Sequence, residues 1–419
     1  MLTFLAGRLI LVRVIMVLAM AGLIGIGIVS IYASDNPAGS ERAGGLDDWQ
    51  KQVLFVAAGI VALTAVNIAS YRFLGSISYW LYAMNLAALA LLLFSKYIYS
   101  LPFIQPVHSA YRWIQLNIAG HALTVQPSEF CKISYILALA WYLRFKKNCS
   151  SFVGLLGPFM LTLLAMGLII LEPDLGTVLL MMPILFIMLF VAGARAKHLI
   201  LILIMAIMVS PLLWFQLKDY QKRRISGVLL QSEKVQELVE NKPFVSKLLT
   251  GREHFDIKSW NLDKGYQLKL SKLAISSGGI FGYGFRKGPY LEENNLKDLP
   301  ERHNDFIFAI IAHQFGLFGC LVVIGLYAIL ITCAVEIAEH NNDPFAKLVT
   351  VGIIAMFAVE VIVNTSMTVG LMPITGLTLP FISAGGSSLV VSMLAVGILN
   401  CIGRSRPFTV AAKPFEKAQ

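Results

Sequence analysis

Long and nearly uninterrupted apolar segments recur along this 419-residue chain. Each is long enough to cross the roughly 30 Å hydrocarbon core of a bilayer as a helix. Hydrophobic residues make up 57% of the sequence and charged residues only 14%, which is more apolar surface than a water-soluble domain of this length can bury. Because the bilayer core offers no water to the backbone, helices must satisfy its polar groups. The sequence therefore predicts an all-α polytopic membrane protein.

The apolar segments number about ten, and the basic residues between them lie mainly on one side. Arg72, Arg195 and Lys197 occupy short connections on the side of the N-terminus, and Arg404 follows the last segment. An excess of Lys and Arg marks the cytoplasmic side, so both termini are predicted to be cytoplasmic. The first segment lacks the small-residue cleavage site of a signal peptide and is interpreted as a retained helix. The predicted spans lie near residues 9–31, 53–70, 76–95, 127–143, 152–171, 175–192, 198–215, 317–337, 347–369 and 383–402.

The largest polar stretch, 216–303, lies between the seventh and eighth spans and is predicted to be extracytoplasmic, within a single membrane domain of residues 1–419. Glycines and aromatic residues at 281–284 favour an ordered functional loop over a disordered one. The net charge of +10 is explained by topology and anionic lipid headgroups, so no nucleic-acid partner is expected. The five cysteines lack metal-ligand spacing and lie outside this loop, so we expect neither a disulfide framework nor a zinc site.

Residues 300–308 place ionisable side chains where this loop meets the next apolar span. Arg302, His303 and Asp305 lie close together, and apolar residues follow at once. Ionisable residues at such an edge are costly to hold there and are candidates for function. The alternative is an interfacial anchor, in which Arg302 and His303 face lipid headgroups.

Two further polar clusters fall on the same predicted outer side. Glu129 and Lys132, at the start of the fourth span, are three residues apart, so they share a helix face and can pair. The alternative is a capping acid and a snorkelling lysine. Glu172 and Asp174 flank a proline in the tight turn before the sixth span. Asp174 is expected to cap that helix and to orient basic residues, with cation binding by the paired carboxylates as a second option.

The outer loop holds a candidate anion site. Lys269 and Lys272 are three residues apart, and Gly278 and Gly279 allow a ligand to approach the backbone, a combination suited to a phosphate or pyrophosphate. The alternative is a membrane-surface helix whose lysines face headgroups. The last outer connection, 364–388, is rich in Gly, Pro and Ser, which suits either close helix packing or irregular backbone lining a cavity.

Four segments resemble motifs of the SEDS (shape, elongation, division and sporulation) family of membrane proteins, and they occur in the family's order. They are residues 112–114 with 126–132, 172–177, 299–309 and 370–388. The stretches 274–279 and 300–303 are similar to the elongation-type members, whereas 376–380 is similar to the division-type members. The chain departs from the family pattern at Asn304 and Ala384, where a threonine and an aromatic residue are usual. It also departs at 312–314, which replaces an acid-rich stretch, and in a longer insertion around 226–260.

The resemblance implies a peptidoglycan glycosyltransferase that polymerises lipid II into glycan strands at the outer face of the cytoplasmic membrane, for cell elongation and shape. Its donor is an undecaprenyl-pyrophosphate-linked sugar, and a single inverting displacement needs no covalent intermediate. Asp305 matches the family's carboxylate and is the expected general base. The other predicted site residues are Arg112, Lys132 and Lys269 as pyrophosphate binders, Glu129 and Asp174 as orienting acids, and Arg302, His303 and Ser387 as further substrate contacts.

The resemblance implies no fixed cofactor, although a divalent cation such as Mg²⁺ or Mn²⁺ is an option for supplying part of the positive charge. The implied partners are a class B penicillin-binding protein transpeptidase, acting through the outer loop and the final spans, other membrane proteins of the elongation complex, and membrane lipid. Three alternatives stay open: a division-type polymerase, a flippase for lipid-linked precursors, and a scaffold that only recruits the cross-linking enzyme. Charged clusters at the outer edge, with few mid-span charges besides Glu360, favour surface chemistry over translocation.

Overall fold

A computed structural model describes residues 2–34, 46–106, 111–118, 121–145, 152–217, 219–252, 255, 264–291 and 302–404. The prediction of a polytopic helical protein is confirmed, because a helix occupies each predicted span. The first seven are α1 (Leu2–Ser34), α2 (Asp48–Ile68), α3 (Tyr71–Tyr97), α4 (Pro127–Leu143), α5 (Leu156–Leu171), α6 (Leu175–Val191) and α7 (Ala196–Gln216). Within the described ranges seven helices are long and apolar enough to cross a membrane, while α4 and α6 have 17 residues each.

The segment between α7 and the later spans is ordered into short helices. These are α8 (Asp219–Ser226), α9 (Glu233–Asn241), α10 (Pro243–Thr250) and α11 (Lys264–Gly278). Pro243 occupies the first position of α10 and marks the division between α9 and α10. The last three spans are α12 (Ile307–Glu339), α13 (Pro344–Thr368) and α14 (Gly386–Arg404). The stretches 253–254, 256–263 and 292–301 of the outer loop, and Cys149, lie outside the described residues.

A two-stranded hairpin precedes α4 and was not predicted. Strands β1 (Ile114–Ile118) and β2 (His121–Val125) pair in antiparallel fashion, with Ile114 opposite Val125. The hairpin leads directly into Pro127, so it fixes the direction in which the chain enters α4. A pair of five-residue strands is too short to stand out against the apolar helical pattern.

Helix α4 lies at the centre of the bundle. Nearly all of its residues are buried, and it contacts α3, α5, α6, α13 and α14. Polar side chains within it find partners inside the protein; Tyr135 Oη, for example, lies 2.8 Å from Thr162 Oγ1 of α5. A helix surrounded by protein can carry charged residues that a lipid-facing helix cannot, because other side chains replace the water they lose.

Helices α2 and α14 pack closely and carry one edge of the site. A Cβ atom added at Gly397 would lie 3.1 Å from the Leu63 Cα atom, so the glycine allows the two backbones to approach. At the outer end of α2, the buried Gln52 side chain donates to the Ser383 carbonyl at 3.1 Å and accepts from Gly385 N at 3.4 Å. The connection before α14 is thereby fixed to α2.

Helix α12 begins ten residues before the predicted start at 317 and is broken at Gly316. The φ of 62° and ψ of −158° at Gly316 belong to a region that only glycine occupies readily. The loop after α11 supplies the missing hydrogen bonds: Leu317 N donates to Gly279 O at 2.9 Å and Phe318 N to Ile280 O at 3.1 Å. The span predicted from the sequence began at 317, next to this break. It therefore omitted the helical residues 307–315 that precede Gly316.

Two glycines near the end of α11 approach α12. A Cβ atom added at Gly278 would lie 2.0 Å from the Ala312 carbonyl oxygen, and one at Gly282 would lie 2.1 Å from the Gln314 carbonyl oxygen. The expectation that Gly278 and Gly279 form part of an anion site stays a prediction, because a Cβ atom added at Gly279 would meet nothing within 4 Å. Gly278 and Gly282, in contrast, pack against α12. These glycines hold the outer half of α12 in place.

Candidate functional site

A polar cavity of about 670 Å³ opens where the hairpin, the turn before α12 and the connection before α14 meet. The starts of α4, α6 and α14 form its walls. Five of the nine residues predicted for the site line it, namely Arg112, Glu129, Asp174, Asp305 and Ser387. Residues from distant parts of the sequence are thus brought to one surface, as the motif order suggested.

Asp305 lies in the turn 302–306 immediately before α12, and its position is fixed through the backbone. Three consecutive carbonyls of this turn accept hydrogen bonds from one later segment, 364–384. They are the carbonyls of His303 (from Ala384 N, 2.8 Å), Asn304 (from Ser383 Oγ, 2.7 Å) and Asp305 (from Asn364 Nδ2, 3.1 Å). These hydrogen bonds fix the backbone of the turn. The fixed backbone in turn sets the position from which the Asp305 side chain extends.

Gly376 faces the Asp305 carboxylate across the cavity. Its φ is 79°, and an added Cβ atom would lie 3.7 Å from Asp305 Oδ2. Asn364 Nδ2 also donates to the neighbouring Leu377 carbonyl at 2.7 Å. One amide of α13 therefore links the turn 302–306 to the segment that contains Gly376 and Leu377.

Asp174 joins the start of α6 to the start of α4. Its Oδ2 atom accepts hydrogen bonds from Ser128 Oγ at 2.9 Å, Thr177 Oγ1 at 2.9 Å and Gln126 Nε2 at 3.2 Å, and its Oδ1 atom accepts from Thr177 N. Asp174 thus caps α6, as predicted. Its oxygens are already occupied by protein donors, so its part in the site is to orient the wall.

Arg112 is anchored to the turn that contains Asp174. Its Nε atom donates to the Glu172 carbonyl at 2.9 Å, and its Nη2 atom donates to the Pro173 carbonyl. Pro173 has a φ of 30°, a sparsely populated conformation that these two donors help to hold. Arg112 therefore reaches the cavity with its guanidinium fixed by backbone oxygens rather than by a carboxylate.

The Glu172 side chain is 1% exposed, and neither carboxyl oxygen accepts a hydrogen bond from any residue that the structure describes. Burial, and then the nearby Asp174 carboxylate, raise the pKa of Glu172 to about 9, against the opposing effect of Arg112 and Lys96. The carboxyl group is consequently protonated at neutral pH. A neutral Glu172 does not compete for Arg112, which keeps that guanidinium available to an anion in the cavity.

Lys132 does not line the cavity. Its side chain is 2% exposed and lies between two carboxylates, at 2.7 Å from Glu129 Oε2 and 2.6 Å from Glu360 Oε1. The pairing of Glu129 with Lys132 agrees with the sequence analysis, whereas Glu360 is an additional partner from α13. In this arrangement Lys132 positions Glu129, which does line the cavity, and cannot itself reach a ligand there.

The remaining predicted residues occupy three different places. Ser387 Oγ accepts from Gln126 N at 2.9 Å, which fastens the start of α14 to the hairpin. His303 Nδ1 lies 2.7 Å from Ser34 Oγ of α1. The preceding residue, Arg302, is buried. His303 and Arg302 do not line the cavity. Lys269 lines a different concavity, beside α11.

Three residues of the site were missed. Arg224 lines the cavity from α8, and Asn364 and Gln52 hold its frame. The local signal for Arg224 is the run of three basic residues, 222–224, that follows α7. Gln52 carries no local signal, because its partner Ser383 is 331 residues away in the sequence. Asn364 bonds both to Leu377, 13 residues away, and to Asp305, 59 residues away.

The acids near the cavity do not present a ready cation site. Among the described residues, no group of three or more His, Cys, Asp or Glu side chains is close enough to hold a metal ion. Asp174 already receives protein donors, Glu172 is neutral, and Glu129 is paired with Lys132. These residues do not fit a resident divalent cation, so no step of the mechanism below passes through one.

A sequence model of the FtsW, RodA and SpoVE proteins, described as cell cycle proteins, matches residues 12–407. The chain belongs to this family. It is 31% identical to the peptidoglycan glycosyltransferase RodA of Treponema pallidum, over 93% of this chain and 96% of that protein. It is 32% identical to a probable peptidoglycan glycosyltransferase FtsW of Trichlorobacter lovleyi, over 92% of this chain and 91% of that protein. Stage V sporulation protein E of Bacillus subtilis is 30% identical to this chain, over 85% of this chain and 86% of that protein.

Solved structures of the family share the fold. A chain from a structure described as the structural coordination of polymerization and crosslinking by a peptidoglycan synthase complex matches with a TM-score of 0.69 at 25% identity, over 93% of this chain and 96% of that chain. RodA of Thermus thermophilus matches with a TM-score of 0.59 at 24% identity, over 93% and 95% of the two chains. Relatives of the elongation, division and sporulation types are all represented, so similarity alone does not separate these branches.

Proposed function

We propose that this protein polymerises lipid II by inverting glycosyl transfer in the cavity that contains Asp305. The observation that carries the proposal is the position of Asp305: a carboxylate on a turn locked by residues 364–384, facing a polar cavity with Arg112 and Arg224 in its lining. Curated relatives across the length of the chain carry the name peptidoglycan glycosyltransferase. Glycosyl transfer of this kind requires a base and a source of positive charge. In this cavity Asp305 can supply the base, and Arg112 and Arg224 can supply the positive charge.

The proposed reaction is one displacement at the anomeric carbon of the donor sugar. A bond forms between the oxygen of an acceptor hydroxyl and that carbon while the bond from the carbon to the pyrophosphate oxygen breaks. The hydroxyl proton passes to the Asp305 carboxylate, and the pyrophosphate leaves with the electron pair of the broken bond. The α-linked donor gives a β-linked product because the attack occurs from the opposite side.

Arg112 is the proposed partner of the leaving pyrophosphate. Its guanidinium is fixed by the Glu172 and Pro173 carbonyls, so little reorganisation is needed when negative charge develops. Arg224, on α8, contributes a second guanidinium to the lining. Glu129 and Asp174 shape the wall between them, and neutral Glu172 preserves the positive character of Arg112.

The proposed setting is the outer leaflet of the bacterial cytoplasmic membrane, with both termini in the cytoplasm and the cavity on the outer side. The distribution of basic residues in the short connections supports this orientation. A class B penicillin-binding protein is the proposed partner, in keeping with the polymerising and crosslinking complex that contains a structural neighbour. We assign the protein to cell elongation, on the similarity of the stretches 274–279 and 300–303 to elongation-type members.

The decisive assay is polymerisation of purified lipid II by the detergent-purified protein, with and without the transpeptidase partner. Asp305→Ala and Asp305→Asn should reduce glycan formation by at least about 100-fold, as expected for loss of a general base. Glu237→Ala, which removes an exposed acid of α9 that does not line the cavity, is the matched control and should keep full activity. Equal product from wild type and both Asp305 variants would remove Asp305 from the mechanism. A wild type that makes no product even with its partner would favour a flippase or a scaffold.

A further inference from the structure

Arginine and asparagine side chains meet between α1 and α14, at the end of the bundle away from the Asp305 cavity. Arg13 Nε donates to Asn400 Oδ1 at 2.5 Å, and Asn400 Nδ2 donates to Asn67 Oδ1 of α2 at 2.8 Å. Arg404 Nη2 donates to the Asn67 carbonyl. These hydrogen bonds tie three helices together and use one donor group of each guanidinium, out of the several that an arginine carries.

The Arg13 side chain is packed against α14. A Cβ atom added at Gly403 would lie 3.2 Å from Arg13 Cδ and 3.3 Å from Arg13 Cγ, so the glycine leaves room for the stem of the arginine. The hydrogen bond to Asn400 then fixes the direction of the guanidinium. An arginine that served only as a marker of the cytoplasmic side would need its charge but neither this glycine nor this amide.

A groove of about 270 Å³ runs along the same face of α1, and we refer to it as the α1–α14 groove. Its α1 residues recur every three or four positions and therefore form one stripe on the helix. Val14 is 50% exposed and Leu18 is 64% exposed, so the stripe is open to the surrounding lipid. The complete lining is Ile10, Arg13, Val14, Val17, Leu18 and Asn400. The groove is thus apolar along α1 and polar where it meets α14.

The polar part of the groove lies at the edge of the bilayer. At the other end of α1, Ser34 Oγ lies 2.7 Å from His303 Nδ1, beside the turn that carries Asp305. Arg13 precedes Ser34 by 21 residues, which separates the two by about 30 Å along the helix. This separation equals the thickness of the hydrocarbon core, so Arg13 lies at the level of the headgroups. In the proposed orientation these headgroups belong to the cytoplasmic leaflet.

Positive charge dominates this end of the groove. Arg404 lies close enough to Arg13 for the two like charges to act on each other. Among the residues that the structure describes, no carboxylate forms an ion pair with either arginine. The acid on the neighbouring helix α12, Glu336, is paired with Arg8 at 2.7 Å. Two guanidiniums at headgroup level are suited to the oxygens of a phosphate, which they can bind through two parallel hydrogen bonds each.

We propose that the α1–α14 groove binds one anionic glycerophospholipid, with its phosphate on Arg13 and Arg404 and an acyl chain along Val14 and Leu18. A free phosphate would use the arginines but not the apolar stripe. A zwitterionic lipid would bring an ammonium group that the guanidiniums repel, so a lipid with net negative charge fits best. The bound lipid bridges α1 and α14. This site is separate from the Asp305 cavity and does not depend on the reaction proposed there.

The test is native mass spectrometry of the full-length protein, delipidated in detergent and then given equal amounts of phosphatidylglycerol and phosphatidylcholine. The wild type should retain one phosphatidylglycerol in preference to phosphatidylcholine. Arg13→Gln should lower the ratio of bound phosphatidylglycerol to phosphatidylcholine by about fivefold, the effect of one basic residue near a lipid surface. Val14→Trp, which fills the apolar part of the groove and keeps both charges, should retain less phosphatidylglycerol than the wild type.

Arg195→Gln is the matched control. Arg195 is exposed in the connection after α6, at the same end of the bundle as Arg13, and does not line the groove. This variant should bind both lipids as the wild type does. Excess inorganic phosphate should leave the phosphatidylglycerol of the wild type in place.

Equal binding of the two lipids by the wild type would overturn the proposal. A loss in Arg195→Gln as large as that in Arg13→Gln would also overturn it, because the attraction would then belong to the basic surface in general. Displacement of the lipid by inorganic phosphate would do the same in favour of a free anion. Thermal unfolding in detergent identifies a variant that fails to fold; if Arg13→Gln does so, unchanged phosphatidylglycerol binding by Val14→Trp would overturn the proposal.

Discussion

Two buried glutamates near the cavity differ in charge and in partners. Glu129 remains beside a cation, Lys132, which in turn is shared with Glu360 of α13. Glu172 has no such partner among the described side chains and is kept neutral instead, with a pKa of about 9. Leaving one member of a buried charged group uncompensated typically costs about 3–5 kcal/mol, so both solutions avoid the same penalty.

We predict that Glu172→Gln makes the stability of the protein less dependent on pH. In the unfolded chain Glu172 ionises near pH 4.5, whereas in the folded protein it stays protonated until about pH 9. The wild type therefore loses stability relative to the Gln variant as pH rises between these values, by at most about 1.4 kcal/mol per pH unit. Thermal unfolding at pH 5 and pH 8 measures this; the Gln variant should gain at least about 1 kcal/mol on the wild type between them.

Glu237→Gln is the control for this experiment, because Glu237 is exposed on α9. Its unfolding profile should follow that of the wild type at both pH values. Parallel profiles for wild type and Glu172→Gln would show that Glu172 is ionised in the folded protein. An ionised Glu172 would compete for the Arg112 guanidinium, contrary to the proposal.

At the scale of elements, α12 consists of two helical pieces joined at Gly316. The outer piece, 307–315, follows Asp305 directly and is buried almost throughout. The loop 279–284 binds both sides of the break, since Gly284 N donates to Gln314 O at 2.9 Å and Leu317 N donates to Gly279 O. The turn 302–306 is thus supported by α11 and its loop as well as by residues 364–384.

We predict that Gly316→Ala lowers the free energy of unfolding by about 1–3 kcal/mol or more. Alanine would be forced into a backbone conformation that it avoids, and its Cβ atom would lie 2.4 Å from the Ile280 carbonyl oxygen. Gly325→Ala, in the same helix, is the matched control, because its added Cβ atom meets nothing within 4 Å. Thermal unfolding should show a loss for the first variant and none for the second; equal behaviour would mean that the break is not required.

The elements differ in how far the sequence determines them. The ten spans could be predicted because length and apolarity are local properties of each segment. The break in α12 could not, because it depends on carbonyl groups contributed by the loop after α11. The same distinction holds in the site: the pairing of Glu129 with Lys132 follows from helical spacing, whereas Glu360 joins them from a position 228 residues away from Lys132. Lys269 was predicted to bind the pyrophosphate from its charge. Only the folded structure shows that Lys269 lines a different concavity from the one that contains Asp305.

For the whole molecule, the cavity lies at the start of α12, at the opposite end of that helix from the connection between α12 and α13. Gln231, whose side chain bonds to the Gly370 carbonyl, places the start of the α9 segment at the outer end of α13. Lys347, three residues after the start of α13, lies at the other end. The start of the α9 segment and Lys347 therefore lie at opposite ends of α13.

We predict that a cysteine at position 234 is labelled from outside the cell and that one at 347 is not. Lys234→Cys and Lys347→Cys would be made in a background in which the five native cysteines are replaced by serine or alanine. Both lysine positions are accessible or partly accessible in the structure, so a membrane-impermeant maleimide distinguishes sidedness and not burial. Labelling of 347 in intact cells, with 234 labelled only after permeabilisation, would invert the orientation and place the cavity in the cytoplasm.

The dependence of the Asp305 turn on residues 364–384 also governs when the protein becomes active during its synthesis. Asp305, the proposed base, is encoded before the last two spans, but the groups that hold the three carbonyls of its turn are translated some sixty to eighty residues later. A chain still emerging from the ribosome with α12 already inserted has Asp305 but lacks the frame around it. On the proposed mechanism, catalysis begins only after the final hairpin of helices has entered the bilayer, so an incompletely synthesised chain does not consume precursor.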